Sequence, residues 1–244
     1  MQTHSSTKLI LALAVLAVIP AATAAPPKKP GPPALDKERT ALVITDPQND
    51  FLADNGVAYG LFADNLKELG TIDNIERLFR AAKKAGVAVL VSPHFYVPLD
   101  TQWKAPGALQ SNLLSLGVFR RADPIDSKTF SGSGADFLER YKPFILDGKT
   151  VVTSPHKVYG PESNDLLLQL RSRGIDTVVL GGLAANLCTD SHMRALAEAG
   201  FRVYVVKDAV GAPGADSYKA ALVNFGFVAN GVLSTEEAVA ALTR

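Results

Sequence analysis

The chain has 244 residues, 25 lysines and arginines against 24 aspartates and glutamates, and 47% hydrophobic residues. A balance this close to neutral gives no global attraction for nucleic acid or an anionic membrane, so neither is expected as a partner. A single cysteine excludes an intramolecular disulfide framework, so stability has to come from a packed core.

The first 24 residues read as an export signal. Lys8 precedes an apolar run over residues 9–19, Pro20 breaks it, and Ala22-Thr23-Ala24 gives the small-x-small pattern of a cleavage site. Eleven apolar residues fall well short of the roughly 20 that span a bilayer. No cysteine follows the run, which excludes a lipid-modified N-terminus. Cleavage after Ala24 is expected, sending the remainder to the periplasm or outside the cell, with no membrane partner beyond the signal segment. Residues 25–39 are proline-rich and read as a semi-rigid linker. The folded domain is expected over residues 40–244, long enough for one substantial core.

That body alternates short Val/Ile/Leu-rich runs with longer amphipathic stretches. Strands are expected at residues 41–45, 87–92, 150–153, 177–180, 202–206 and, more weakly marked, 228–233. Helices are expected at 65–85, 164–173, 186–199, 215–225 and 235–242. In the first helix Leu66, Leu69, Ile72, Ile75, Leu78 and Ala82 recur at helical spacing. Gly86, Gly174 and Gly200 each stop a helix just before a strand. Continuously apolar strands alternating with helices argue for a parallel sheet covered on both faces, whose sites lie at the carboxyl ends of the strands. Ser131–Gly134 looks superficially like a phosphate-cradling loop but follows no strand, and reads as a flexible loop.

Three strand ends carry chemistry. Asp46 directly follows the first apolar run, in Asp46-Pro-Gln-Asn-Asp-Phe51, where an unpaired carboxylate is expensive. A turn-capping aspartate is the plain alternative. Lys157 follows the third strand in Ser154-Pro-His-Lys157, though any single lysine is more often an ordinary surface residue. Cys188 follows the fourth strand at the mouth of a helix, where backbone N–H groups favour the thiolate. A buried inert cysteine is the alternative there. A carboxylate beside a thiol can take its proton, and a nearby ammonium stabilises the charges that result. The nucleophile then attacks a carbonyl carbon, and backbone N–H groups near Ala184 and Cys188 can hold the oxyanion.

These residues, with Gly182–Cys188, Ala197–Gly200 and residues 202–210, resemble the isochorismatase-like cysteine hydrolase family across nearly all of residues 40–244. The resemblance implies a Rossmann-like, three-layer α/β/α fold with a six-stranded parallel sheet. It implies the catalytic trio Asp46, Lys157 and Cys188, and a cis Leu183–Ala184 peptide beside the oxyanion site. The family's oligomers imply a homo-oligomer without supplying an interface. Two departures stand out. The family's Ser-Ala-Phe element after the lysine is replaced by Val158-Tyr-Gly-Pro-Glu-Ser163. The metal-binding Asp-x-His element of nicotinamidases is missing, and His94, His156 and His192 show no metal-ligand spacing, so no metal and no cofactor are expected.

Residues 95–149 form a long insertion of the kind that often serves as a lid; it carries Trp103, Phe119, Arg120, Arg121, Phe130, Phe137 and Tyr141. Gln48, Phe51, His94, Trp103 and Tyr159 are candidate contacts to a small-molecule substrate. The leading expectation is an exported hydrolase that cleaves a small carboxamide or related C–N bond through a thioester on Cys188. The rivals are isochorismatase-type vinyl ether hydrolysis, a non-catalytic binding domain, and a thiol sensor in which Cys188 is oxidised.

Overall fold

The computed structural model describes residues 33–244, so the signal segment and residues 25–32 of the linker lie outside the described residues. Six strands build one sheet: β1 (Thr40–Thr45), β2 (Ala88–Ser92), β3 (Val151–Val152), β4 (Thr177–Leu183), β5 (Arg202–Gly211) and β6 (Gly231–Leu233). Their spatial order is β3-β2-β1-β4-β5-β6 and every pairing is parallel. The helices are α1 (Asn49–Leu52), α2 (Tyr59–Leu69), α3 (Thr71–Ala85), α4 (Ala108–Leu116), α5 (Lys142–Ile145), α6 (Leu166–Ser172), α7 (Asp190–Glu198), α8 (Ala215–Val228) and α9 (Thr235–Thr243). Among the described residues no helix is long and apolar enough to cross a membrane.

Strand alternation sorts the core into two layers. Leu42 and Ile44 of β1 pack with Leu66 of α2, Leu78 and Phe79 of α3 and Leu242 of α9. Ala41 and Val43, one residue out of phase, pack with Leu170 of α6, Leu196 of α7 and Phe225 of α8. Every residue of β1 is buried, which is why it reads as an unbroken apolar run rather than an alternating one. Each large side chain buried this way contributes about 1.5–3 kcal/mol.

The expected helix over residues 65–85 is two helices. Gly70 adopts φ 65° and its N–H caps the carbonyls of Leu66 and Lys67, so the chain turns where the apolar spacing alone suggests continuity. β5 runs past the expected Val206 to Gly211, and α8 takes Val228 from the expected last strand. The insertion is not merely a cover. Val118, Phe119, Phe137, Tyr141 and Ile145 from it are fully buried in the first core layer. Ser131–Gly134 is held rather than loose: Asp50 N–H donates to the Gly134 carbonyl at 2.9 Å, and a Cβ on Gly134 would meet the Asp50 carboxylate at 2.1 Å.

The order 3-2-1-4-5-6 reverses direction between β1 and β4, and Asp46 and Cys188 follow those two strands. Ligands in open α/β sheets bind at such a switch point because the connections leave on opposite faces and open a crevice there.

Candidate active site

Asp46 leaves β1 in a left-handed conformation, φ 48°, that few non-glycine residues adopt. Its N–H donates to the Ser92 carbonyl at 3.0 Å, and its carbonyl accepts from Gln48 N–H at 2.8 Å. The tight turn so fixed buries the carboxylate completely. Across the switch point, Thr45 Oγ1 donates to the carbonyls of Leu183 at 3.0 Å and Gly181 at 3.3 Å, tying β1 to the end of β4. Gly182 takes φ 113°, and a Cβ there would lie 2.1 Å from the Thr45 carbonyl oxygen, so only glycine fits. The Leu183–Ala184 peptide that follows is cis, and the chain enters a wide turn over Ala185–Thr189 that presents Cys188 before α7 begins.

Asp46, His94, His156 and Cys188 bring a carboxylate oxygen, two ring nitrogens and the thiol sulfur within 4.8 Å of one another, all buried. His156 Nε2 lies 2.8 Å from Asp46 Oδ1, and His156 Nδ1 donates to the Val158 carbonyl at 2.6 Å. Behind it, His192 Nδ1 donates to the Cys188 carbonyl at 2.8 Å, and its Nε2 pairs with Ser92 Oγ at 2.8 Å. Neither ring nitrogen of His94 has a hydrogen-bond partner. The three rings pack in sequence, tilted by 42° with centroids 4.6 Å apart for His94–His156 and edge-to-face at 5.0 Å for His156–His192.

The environment decides which groups carry charge. Burial, reinforced by the neighbouring His156 and Lys157, holds His94 well below the ordinary imidazole range. Burial and His156 push His192 down to about 3. Burial also opposes a charge on His156, but the adjoining Asp46 carboxylate and the Val158 carbonyl outweigh it and raise that ring. Burial and the Asp46 carboxylate push the Cys188 thiol well up, against a smaller opposing pull from the N–H groups of Ala184 and Cys188. Burial and the carboxylate thus oppose the thiolate that the helix-mouth dipoles favour, because desolvation next to a carboxylate exceeds what two backbone dipoles return.

Lys157 is not one of these four groups. Its ammonium pairs with Asp100 of the insertion, whose carboxylate accepts from Val97 N–H at 2.8 Å as well. His94 and His156 pair as a parallel bridge. In extended backbone successive side chains point to opposite sides, so His156 facing inward sends Lys157 outward. Gln48 lies close by, but its amide is spent on backbone: Nε2 donates to the carbonyls of His94 at 2.7 Å and Ala135 at 2.6 Å, while Oε1 accepts from His94 N–H at 2.7 Å. Trp103 sits edge-on to Tyr96 with centroids 6.1 Å apart, 36% exposed. Phe51, His94, Tyr159, Ala184 and Cys188 do converge, on a cavity of about 100 Å³. Sequence reasoning missed its other wall, from Leu109, Leu113 and Leu116 of α4 and around it, together with Leu61 and Phe62 of α2. It also missed His156 and His192, although the parity of His156 against Lys157 carried the signal for the first.

The four converging groups are donor types a divalent cation accepts, but the closest pair does not fit a tetrahedral zinc. A metal bound to both His156 Nε2 and Asp46 Oδ1 at about 2.0–2.1 Å in tetrahedral geometry needs them about 3.3 Å apart. At 2.8 Å they share a proton instead.

This parallel α/β protein with a cysteine and a carboxylate at its switch point matches the Isochorismatase domain over residues 40–237. The chain belongs to that family of hydrolases. Ureidoacrylate amidohydrolase RutB of Methylobacterium radiotolerans is 28% identical over 217 residues, covering 84% of this chain and 81% of that protein. A cysteine hydrolase structure from Pseudomonas syringae pv. phaseolicola aligns with a TM-score of 0.69 at 21% identity, over 88% of this chain and 98% of that one. N-carbamoylsarcosine amidase from Thermoplasma acidophilum aligns with a TM-score of 0.59 at 22% identity, over 81% and 97%.

The environment of Cys188 makes a substrate-free prediction. A carboxylate beside the thiol raises its pKa, so Asp46→Asn removes that repulsion and lowers it. Iodoacetamide alkylation followed by intact mass should set in above the ordinary thiol value of about 8.5 in the native protein and move to lower pH by a unit or more in Asp46→Asn. A profile unmoved by the substitution contradicts the coupling.

Proposed function

We propose that this chain is an exported cysteine amidohydrolase, cleaving a small carboxamide or related C–N bond through a thioester on Cys188. The observation that carries this is the buried Cys188 thiol, set beside the Asp46 carboxylate and the N–H groups of Ala184 and Cys188, on the wall of a largely apolar cavity. The names borne by two similar proteins, an amidohydrolase and an amidase, support the same bond class.

In this reading Asp46 takes the thiol proton as sulfur adds to the carbonyl carbon, because the thiol is too weakly acidic to ionise first. The carbonyl electron pair moves to oxygen, which accepts hydrogen bonds from Ala184 N–H and Cys188 N–H. The tetrahedral adduct collapses, the C–N bond breaks, and the nitrogen leaves with the proton that Asp46 returns. Water then adds to the thioester with Asp46 accepting its proton, the C–S bond breaks, and the sulfur is reprotonated. Asp46 ends as it began.

The cavity narrows the substrate. About 100 Å³ is room for a carboxamide or ureido group and a short substituent, given about 30 Å³ per water molecule. Its lining, among the described residues, is aromatic and aliphatic apart from His94, Tyr159 and Cys188, and holds no lysine or arginine. An uncharged primary amide or ureide with an apolar substituent suits it better than a carboxylate-bearing one. The unpartnered His94 nitrogens supply the polar contact such a group needs.

A panel of neutral and carboxylate-bearing amides and ureides, scored by ammonia release, should give turnover on the neutral members. Cys188→Ala should lower it by about a thousandfold or more, and acid quenching of the native enzyme should trap an acyl adduct on Cys188 by mass. Turnover that survives Cys188→Ala would instead favour vinyl ether chemistry or another route. Export is tested separately: protein recovered from the periplasmic fraction of its host should begin at Ala25 by intact mass, and full-length protein held in the cytoplasm would contradict it.

A further inference from the structure

We infer that the positive charge of this site is a doubly protonated His156, standing where the family pattern implies Lys157, and that it holds Asp46 in the anionic form the reaction needs. The hydrogen bonds place one proton on His156 Nδ1 and one between His156 Nε2 and Asp46; assigning the second to the ring, and its catalytic consequences, rests on the thioester reading above.

A carbonyl oxygen only accepts, so the 2.6 Å contact between His156 Nδ1 and the Val158 carbonyl puts a hydrogen on Nδ1. A carboxylate only accepts as well, so the 2.8 Å contact between Nε2 and Asp46 Oδ1 puts a second hydrogen on Nε2. A ring with both is an imidazolium. The other way to satisfy the contact is a protonated Asp46 donating to Nε2. That arrangement leaves no base to receive the Cys188 proton.

The groups facing His156 from every side agree with one cation there. Asp46 approaches from the end of β1 and Cys188 from the turn after β4. His94 packs against it from beyond the end of β2, and His192 edge-on from α7. His94 is desolvated, and the Nε2 of His192 faces the Ser92 hydroxyl, so both rings are neutral. Glu162, on the same loop as His156, adds a further negative influence. Lys157 spends its own charge on Asp100, fastening the loop after β3 to the turn over Pro98–Gln102.

In the reaction His156 keeps both protons. Asp46 cycles between carboxylate and carboxylic acid as it takes the Sγ proton and returns it to the leaving nitrogen, and the imidazolium lowers the cost of each anionic state. As pH rises through the raised pKa of His156, the ring loses its charge and the rate falls. A lysine at the same place would carry that alkaline limb to higher pH.

The test compares His156→Gln, His156→Lys and Lys157→Met on the most active amide and by Cys188 alkylation, with folding checked by near-ultraviolet circular dichroism. His156→Gln keeps a donor for Asp46 without the charge. It should lower kcat about a hundredfold, leave KM within about threefold, and move alkylation to higher pH because the neighbouring cation is gone. His156→Lys should recover kcat to within about tenfold of the native enzyme and shift the alkaline limb upward. Lys157→Met should cost less than about tenfold and leave the alkylation profile in place. The inference is overturned if His156→Gln stays within threefold of native, or if Lys157→Met brings the larger loss or moves the profile. If His156→Gln does not fold, an alkaline limb that moves in Lys157→Met overturns it equally. If no amide is turned over but alkylation follows His156, the hydrolase reading fails while the charge assignment stands.

Discussion

The buried contact between Asp46 and His156 is the constraint on which the rest of the site depends. Both side chains are fully enclosed, and removing an ion from water costs several kcal/mol, which only an opposite charge in good geometry offsets. Neither residue is tolerable there without the other. The backbone around them is shaped to keep the pair together: the left-handed turn at Asp46, the Val158 carbonyl behind the ring, and the Ser92 carbonyl that takes the Asp46 N–H. Cys188 is then placed against a carboxylate that already has its counter-charge. In the proposed reaction its proton moves as sulfur adds to a substrate carbon.

A dry wall makes that arrangement effective. The long insertion contributes Phe119 to the core and the leucines of α4 to the cavity, so one segment both completes the fold and lines the site. Asp50 links the two tasks. Its carboxylate accepts from Phe119 N–H at 2.5 Å and Val57 N–H at 3.3 Å, and Phe119 in turn packs on Phe51 with centroids 4.5 Å apart. Burial raises the pKa of Asp50 despite those two donors. In a cavity with this lining, electrostatic contacts to a developing oxyanion are worth far more than in water.

Much of this was legible in the sequence, for identifiable reasons. Continuous apolar runs marked the strands, and helix-capping glycines fixed where β2, β4 and β5 begin, to within a residue or two, because buried parallel strands show no polar alternation. Asp46 stood out as a costly carboxylate directly after such a run, and Cys188 as the lone cysteine at a helix mouth just beyond another. His156 was harder to read than Lys157 because β3 is only two residues long, which leaves little strand phase by which to count faces. The burial of Cys188 and its neighbouring carboxylate were not readable either: the backbone dipoles at a helix mouth are local, whereas Asp46 and the cavity walls come from distant segments. The insertion has too little periodicity to separate a cover from a piece of core, and only its contacts with α3 and Asp50 settle that.

The most direct test of the account places the protons themselves. Nitrogen-15 spectra of histidine-labelled protein near neutral pH, assigned with His94, His156 and His192 variants, report which ring nitrogens carry hydrogen. The account predicts two protonated nitrogens on His156, and one protonated nitrogen each on His192 and His94. A His156 ring with one bare nitrogen at that pH would mean that the shared proton belongs to Asp46, and the site would then lack both its cation and its base.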